Sequence, residues 1–369
     1  MKISFGYFNI AIFACCGIIA SCSTGTSSGI ITPNPQYTAF SCPNTVNVSF
    51  PGISGIRGIT NSSNVYITGV YVQNGANQAF LYQGPILGGS ILNGGTCTPF
   101  NYPSAPGKTV TATALYGPDN GNRAGNVVVV GSYTTEETGP IAQLGLLYQG
   151  PADGSNLNGW STLNPSSLTK DTVINTLGHS TMGGLVVGNF DTNVSTGRSF
   201  IYTIATNSYT EFKVPGGSAS VTLYGIWYNG GTSYTLTGGY SAVSQSGVDQ
   251  GFLADWDSST QTITNFTTLN YNNLPPSQVG THFEGITTDG AGGYNLAGDW
   301  QQNPGGSVNP IFAHVSRNSN GMFGAATWTN FSFPGSSVTS ANTVYQNYVL
   351  GLYQLGGTLD YGYVVLIVN

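Results

Sequence analysis

His282-Phe283-Glu284 sets an imidazole two positions from a carboxylate. On a β-strand, residues two apart project to the same side, so the pair could share a proton or grip a polar ligand. Three further residues occupy comparable places, each just before a glycine that ends a hydrophobic stretch: Arg57, Tyr116 and Tyr224. Aligned on that glycine, the series runs Arg57, Tyr116, Leu177, Tyr224, Glu284 and Ala341. Tyrosines stack on sugars, and a lone arginine and glutamate can orient them, so a ring of these side chains suits a small polar ligand or a glycan. The plainer expectation is that they pack and pair between strands. Hydrolysis of a glycosidic bond needs two facing carboxylates. Glu284 alone lies on such a strand, so Asp299, Asp255 or Asp257 would have to stand about 5–10 Å away in an open cleft.

Other chemistry is poorly served. The three histidines, His179, His282 and His314, fall in different stretches with no short-spaced pair of the kind zinc sites use, so no metal and no cofactor is expected. Gly178-His179-Ser180-Thr181-Met182 lacks the closing glycine of a nucleophile elbow, and Gly25-Thr26-Ser27-Ser28-Gly29 lies in a polar tether. The oxygen-rich runs at Asp153 and Asp191 lack the acidic closer of a calcium loop and read as Asx turns.

Whatever positions the candidate residues must bring six strand ends to one place, and the chain repeats accordingly. Gly-x-aromatic ends an apolar run at Gly69-Val70-Tyr71, Gly131-Ser132-Tyr133, Gly188-Asn189-Phe190, Gly238-Gly239-Tyr240, Gly298-Asp299-Trp300 and Gly351-Leu352-Tyr353, at spacings of 62, 57, 50, 60 and 53 residues. Such periods mark four-stranded units in an array. Runs such as Asn126-Val127-Val128-Val129-Val130 lack polar alternation, which calls for burial on both faces. Charged residues make up 6% of the chain against 53 glycines and 22 tyrosines, a composition for strands and uncharged turns rather than surface helices. The sequence therefore predicts an all-β fold, a six-bladed β-propeller of four-stranded antiparallel blades, with seven blades as the alternative. The last repeat lacks a fourth strand. Tyr37-Thr38-Ala39-Phe40-Ser41-Cys42-Pro43 parallels the fourth strand Tyr209-Thr210-Glu211-Phe212-Lys213-Val214-Pro215, so the N-terminal segment is expected to complete the final blade beside Tyr363 and remove two open edges. Fourth strands are expected around Phe-x-x-Pro, at Phe100–Pro103, Phe212–Pro215 and Phe331–Pro334.

Lys2 and the apolar run from Ile10 to Ala20 make a secretory leader over 1–21. Its end, Ile19-Ala20-Ser21-Cys22, resembles the bacterial lipobox, which implies a lipid on Cys22; Ser23 after it implies sorting to the outer membrane. Residues 22–36 read as a flexible tether and 37–369 as one propeller domain. An oxidising envelope would permit Cys42 and Cys97 to bond, although the strand assignment puts them at opposite ends of neighbouring blades. The unit from Gly69-Val70-Tyr71 through Gln78-Ala79-Phe80-Leu81-Tyr82 resembles the bacterial extracellular repeat named after its His-Ala-Phe core (HAF), with Gln78 where the family has histidine. That resemblance implies secretion and a propeller-like array.

With a net charge of −6 and eight scattered basic residues, the chain carries no footprint for nucleic acid. The expected protein is a monomeric, lipid-anchored module of the bacterial cell envelope, held to the membrane by its lipid and binding a glycan or a surface protein. Recognition is expected from the polar loops 134–143, 241–249 and 301–309. A glycan-processing enzyme using Glu284, and a structural outer-membrane assembly protein, are the alternatives.

Overall fold

The computed structural model describes residues 36–40, 42, 49–86, 95–137, 142–245, 247–303, 305–356 and 360–368. The leader, Cys22 and the tether up to residue 35 lie outside the described residues.

The strands form six antiparallel four-stranded sheets. The chain enters through β1 (Gln36–Phe40). Blade 1 follows as β2 (Ser49–Gly58), β3 (Asn64–Gln73), β4 (Ala76–Pro85) and β5 (Thr96–Pro99). Blade 2 is β6 (Val110–Asn120), β7 (Asn126–Thr135), β8 (Leu144–Pro151) and β9 (Trp160–Leu163), and blade 3 is β10 (Val173–Met182), β11 (Leu185–Thr192), β12 (Arg198–Thr203) and β13 (Ser208–Phe212). Blade 4 is β14 (Ser220–Gly230), β15 (Ser233–Ser241), β16 (Gln250–Asp257) and β17 (Thr262–Leu269). Blade 5 is β18 (Val279–Thr288), β19 (Tyr294–Gln302), β20 (Val308–Arg317) and β21 (Phe323–Asn330), and blade 6 is β22 (Val338–Tyr345), β23 (Tyr348–Gln354) and β24 (Asp360–Leu366). This is a six-bladed β-propeller.

The ring closes as the repeat pattern requires. β1 adds to β24 as the outer strand of blade 6, with Tyr37 opposite Val365, Ala39 opposite Tyr363 and Phe40 opposite Gly362. Six hydrophobic clusters hold the blades, one at each seam. The valine run of β7 shows how one strand serves two of them: Val127 and Val129 enter the cluster shared with blade 1, while Val130 and Val128 enter the one shared with blade 3. Alternate side chains leave opposite faces of a strand, and both faces of a blade are covered.

Two expectations about the outer strands are corrected. Phe100 and Phe331 come just after strands that end at Pro99 and Asn330, and Phe212 is the last residue of its strand, so the Phe-x-x-Pro prolines follow the fourth strands instead of sitting in them. The phenylalanines are buried plugs at the blade ends. This shift places Cys97 inside β5, opposite Tyr82, rather than ahead of the strand. Blade 1 is the neighbour of blade 6 across the closure, and Cys42 and Cys97 are joined there by a disulfide with Cα atoms 5.7 Å apart.

Candidate functional site at the propeller axis

Each innermost strand breaks its pairing with the second strand at one equivalent bulged residue, apart from further irregularities near the ends of β2, β6, β10 and β14. The interruptions fall between Ile53 and Gly55, Leu115 and Gly117, Gly178 and Ser180, Leu223 and Gly225, Phe283 and Gly285, and Ala341 and Thr343. The ring of equivalent residues is therefore Ser54, Tyr116, His179, Tyr224, Glu284 and Asn342. A bulge inserts one unpaired residue and re-aims its side chain, here toward the axis.

Two residues before each bulge a main-chain carbonyl turns onto the second strand. A Cβ on Gly131 would lie 2.0 Å from the Ala114 oxygen, and one on Gly298 would lie 2.0 Å from that of His282. The glycine of Gly-x-aromatic is thus the partner of the bulge.

The register corrects the alignment made on sequence. Tyr116, Tyr224 and Glu284 share one level, but Arg57 lies three residues beyond Ser54, one layer further along the axis beside Asp119 and Trp227. Its Nε is 3.9 Å from the Asp119 carboxylate, and its guanidinium carbon is 5.3 Å from the Trp227 ring centre. Arg57 Nε is buried without a hydrogen-bond partner. Burial holds the pKa of Arg57 below its ordinary value, and Asp119 partly offsets this. In blades 3 and 6 the true equivalents are His179 and Asn342, not Leu177 and Ala341. The residue before a glycine misled in blades 1 and 3 because Gly58 and Gly178 are not in register with Gly117, Gly225 and Gly285, and in blade 6 Thr343, not Asn342, takes the glycine's place.

The axis is nearly filled. Arg57, Tyr116, His179, Tyr224 and Glu284 line a cavity of about 20 Å³, room for a water or a single small ion. The His179 ring packs 5.3 Å from Tyr116 and 4.7 Å from Tyr224, and Tyr224 lies 5.8 Å from His282. Burial pushes the Tyr116 phenol up to about 12, so it stays neutral. His179 holds Asn189 Oδ1 at 2.6 Å through Nε2, yet burial outweighs that bond and brings its pKa down to about 4.

His179 therefore carries a pH signature. In the unfolded chain it takes a proton below about 6.5, which the folded site refuses until about 4. Its contribution to stability is complete at neutral pH and is lost as pH falls through that window, by up to about 3 kcal/mol. Urea midpoints at pH 7 and 4.5 should diverge in the wild type and converge by that amount in His179→Gln. Equal pH slopes in both proteins would refute the assignment.

At the loop end of the axis, His282 Nε2 lies 3.3 Å from Glu284 Oε1, with 18% and 24% of the side chains exposed. His282 pairs across the strands with Asp299, whose carboxylate accepts from Ser340 Oγ at 2.8 Å and from the Ala341 amide at 3.0 Å in blade 6. One ligand atom from each of His282, Glu284 and Asp299 lies within 4.8 Å of the others. Asp299 is 5% exposed. Burial, helped by Glu284, raises its pKa to about 7 against the lowering effect of His282. Burial also works against a charged His282, but the Glu284 hydrogen bond and the charges of Glu284, Asp299 and Asp249 prevail and raise it to about 9.

Of the acids that could have faced Glu284, Asp299 does. Asp255 is held instead by a fork from Arg317, at 2.6 and 2.9 Å, and Asp257 caps an exposed turn through Ser259 and Thr260. Asp153 accepts from the Ser155 amide two residues on, as an Asx turn does, whereas Asp191 is a buried residue of β11 that accepts from the Gly197 amide and from Asn175 Nδ2 on β10, so the Asx-turn expectation is corrected there. Sequence spacing brought His282 and Glu284 together and left Asp299 as one of three acids that could face them; the choice among the three comes from strand pairing rather than from a short motif. The missing signal was the Gly-x-aromatic itself, since Asp299 is its middle residue in blade 5.

No protein-family profile matches the chain, and no curated protein sequence matches it. Among solved structures it is similar to an α-L-arabinofuranosidase from Lactobacillus brevis (12% identity, 78% of this chain and 98% of that one, TM-score 0.43). It is also similar to the polysaccharide lyase Uly1 (11% identity, 95% and 93%, TM-score 0.40) and to the α-L-arabinofuranosidase CtGH43 from Clostridium thermocellum (12% identity, 75% and 94%, TM-score 0.34).

Proposed function

We propose that this protein is a lipid-anchored module of the bacterial cell envelope, on the outer membrane, that binds a glycan or a surface protein at the loop end of its disc. The observation that carries this reading is the closed axis. A cavity of about 20 Å³ cannot admit a sugar ring, so in this reading a larger partner is met on a face of the disc, and the partly exposed His282 and Glu284 offer it polar groups. The loops between second and third strands rise at that same end, since Val279 pairs with Gln302 at the start of the 303–307 loop. Thr281 donates its amide to the Asp249 carbonyl, tying a blade 4 loop to the strand that bears His282. Rigid strands thus hold variable polar segments, the usual arrangement for recognition.

A binding screen of residues 36–369 against bacterial surface glycans and envelope proteins tests this reading. A retained partner whose binding falls at least roughly tenfold on Glu284→Gln, about 1.4 kcal/mol, supports it. Binding that is insensitive to every change at the loop end refutes it. In cells, Cys22→Ser is expected to release the protein from the membrane fraction; continued membrane association would refute the anchor.

The second reading, a glycan-processing enzyme, is favoured by the closeness of Glu284 and Asp299 and by the raised pKa of Asp299. Against it, Asp299 is buried and already engaged by Ser340 and Ala341, which leaves no cleft between the carboxylates for a glycosidic bond. Turnover of a bound glycan that is abolished by Glu284→Gln would reverse the order of the two readings.

A further inference from the structure

We propose that His282, Glu284 and Asp299 form a site for a divalent cation of the zinc type, a property that does not depend on which partner the loop face takes. The donor set is mixed, one imidazole and two carboxylates, and it is gathered: one ligand atom from each lies within 4.8 Å of the other two, so closing by roughly 1–1.5 Å would bring all three to the separation a tetrahedral ion needs. Two ligands about 2.0–2.1 Å from a tetrahedral ion stand about 3.3 Å apart. His282 Nε2 and Glu284 Oε1 already stand 3.3 Å apart.

The backbone fixes the three without a loop. His282 and Glu284 flank Phe283 on β18, and Asp299 is directly opposite His282 on β19. Glu284 is the bulged residue that recurs in every blade, and His282 and Asp299 are a regular cross-strand pair beside it.

Support behind the donors is also in place. Ligating carboxylates are oriented by hydrogen bonds from outside the site. Ser340 Oγ and the Ala341 amide, 2.8 and 3.0 Å from the two Asp299 oxygens, do this from blade 6 and leave each oxygen a further lone pair. Charge is concentrated as well. In a chain with 14 acidic residues, Glu284 and Asp299 both bring a carboxylate oxygen within 4.8 Å of a His282 ring nitrogen.

An imidazole with two carboxylates suits zinc and its first-row neighbours, whereas calcium takes six to eight oxygens. Three protein ligands leave a coordination position for water or for a group on a bound partner. That position faces the loop end, where His282 and Glu284 keep 18% and 24% of their side chains exposed while Asp299 lies beneath them.

The test uses the untagged full chain purified in detergent, stripped with chelator and equilibrated with zinc, calcium or magnesium chloride. Elemental analysis after dialysis is expected to give one zinc per chain, and calorimetric affinity is expected to fall at least roughly 100-fold in Glu284→Gln and in His282→Gln. The surface change Asp171→Asn should leave it unaltered. Zinc should raise the thermal midpoint of the wild type and not that of Glu284→Gln. Should either variant fail to fold, cobalt binding to the wild type provides the readout, with visible absorption of a low-symmetry nitrogen–oxygen site expected. Substoichiometric zinc, zinc binding unchanged in both variants, or no cobalt spectrum would overturn the proposal. Equal binding of calcium or magnesium at the same residues would overturn the zinc-type assignment.

Discussion

Replacing Gly131 with alanine is expected to destabilise the propeller by at least about 3 kcal/mol, a large part of the roughly 5–15 kcal/mol that holds a domain folded. The added Cβ would sit 2.0 Å from the Ala114 carbonyl oxygen and 2.9 Å from the Leu115 Cα. Neither atom can yield, because both belong to the bulge that turns Tyr116 toward the axis. The same collision recurs at Gly188 with Leu177, at Gly238 with Thr222 and at Gly351 with Ser340, at 2.0, 2.0 and 1.9 Å. A contrast isolates the cause. Gly75 has a φ of +75° and nothing within 4 Å of its notional Cβ, so Gly75→Ala meets only backbone strain, about 1 kcal/mol. Urea unfolding of the two variants should therefore separate by roughly 2 kcal/mol. If Gly131→Ala unfolds with the wild-type midpoint, the carbonyl does not dictate the repeat.

That steric rule explains what could be read from sequence. The Gly-x-aromatic positions repeat visibly because a fixed carbonyl forbids any side chain there, so blade number, second strands and closure by residues near Tyr37 could all be anticipated. Of the bulge ring only Tyr116, Tyr224 and Glu284 could be placed. Its members, Ser54, Tyr116, His179, Tyr224, Glu284 and Asn342, differ in type because each satisfies a different neighbour. Asn342 Nδ2 donates to the Ile53 carbonyl at 2.8 Å, Ser54 Oγ to the Leu115 carbonyl, and His179 meets Asn189. Variable residues give no period to align on, and Gly58 and Gly178 then supplied a false register that put Arg57 in the ring and left His179 out. Asp299 stood out only as one of three acids that could face Glu284, for a related reason. In its place the other repeats carry Val70, Ser132, Asn189, Gly239 and Leu352, so only the cross-strand partner, His282, reveals what it is for.

Breaking the Cys42–Cys97 bond is expected to cost about 4 kcal/mol, the chain-entropy value for a bridge closing a loop of its length. The two cysteines are 55 residues apart and join the strand that closes blade 6 to the outer strand of blade 1. Without the bond, the N-terminal segment is held by the five-residue pairing of β1 with β24 and by the packing of Phe40 on Phe80 and Tyr82, whose ring centres are 6.0 and 5.6 Å away. With Tyr37, whose ring meets Phe333 at 5.4 Å and whose hydroxyl accepts from the Ser332 amide at 3.0 Å, these contacts are a modest anchor for a strand that arrives from the far end of the chain. The loss should therefore appear first as local opening. In Cys42→Ser/Cys97→Ser, amide exchange should accelerate in β1 and β24 before it does in blades 2 to 4, and protease should cut near residue 40 while the rest stays folded. The urea midpoint of the oxidised protein should fall to that of the double variant on adding reductant. Identical midpoints in all three would mean that strand pairing alone closes the ring. A uniform rise in exchange across all six blades would mean that the disulfide supports the whole disc and not its seam.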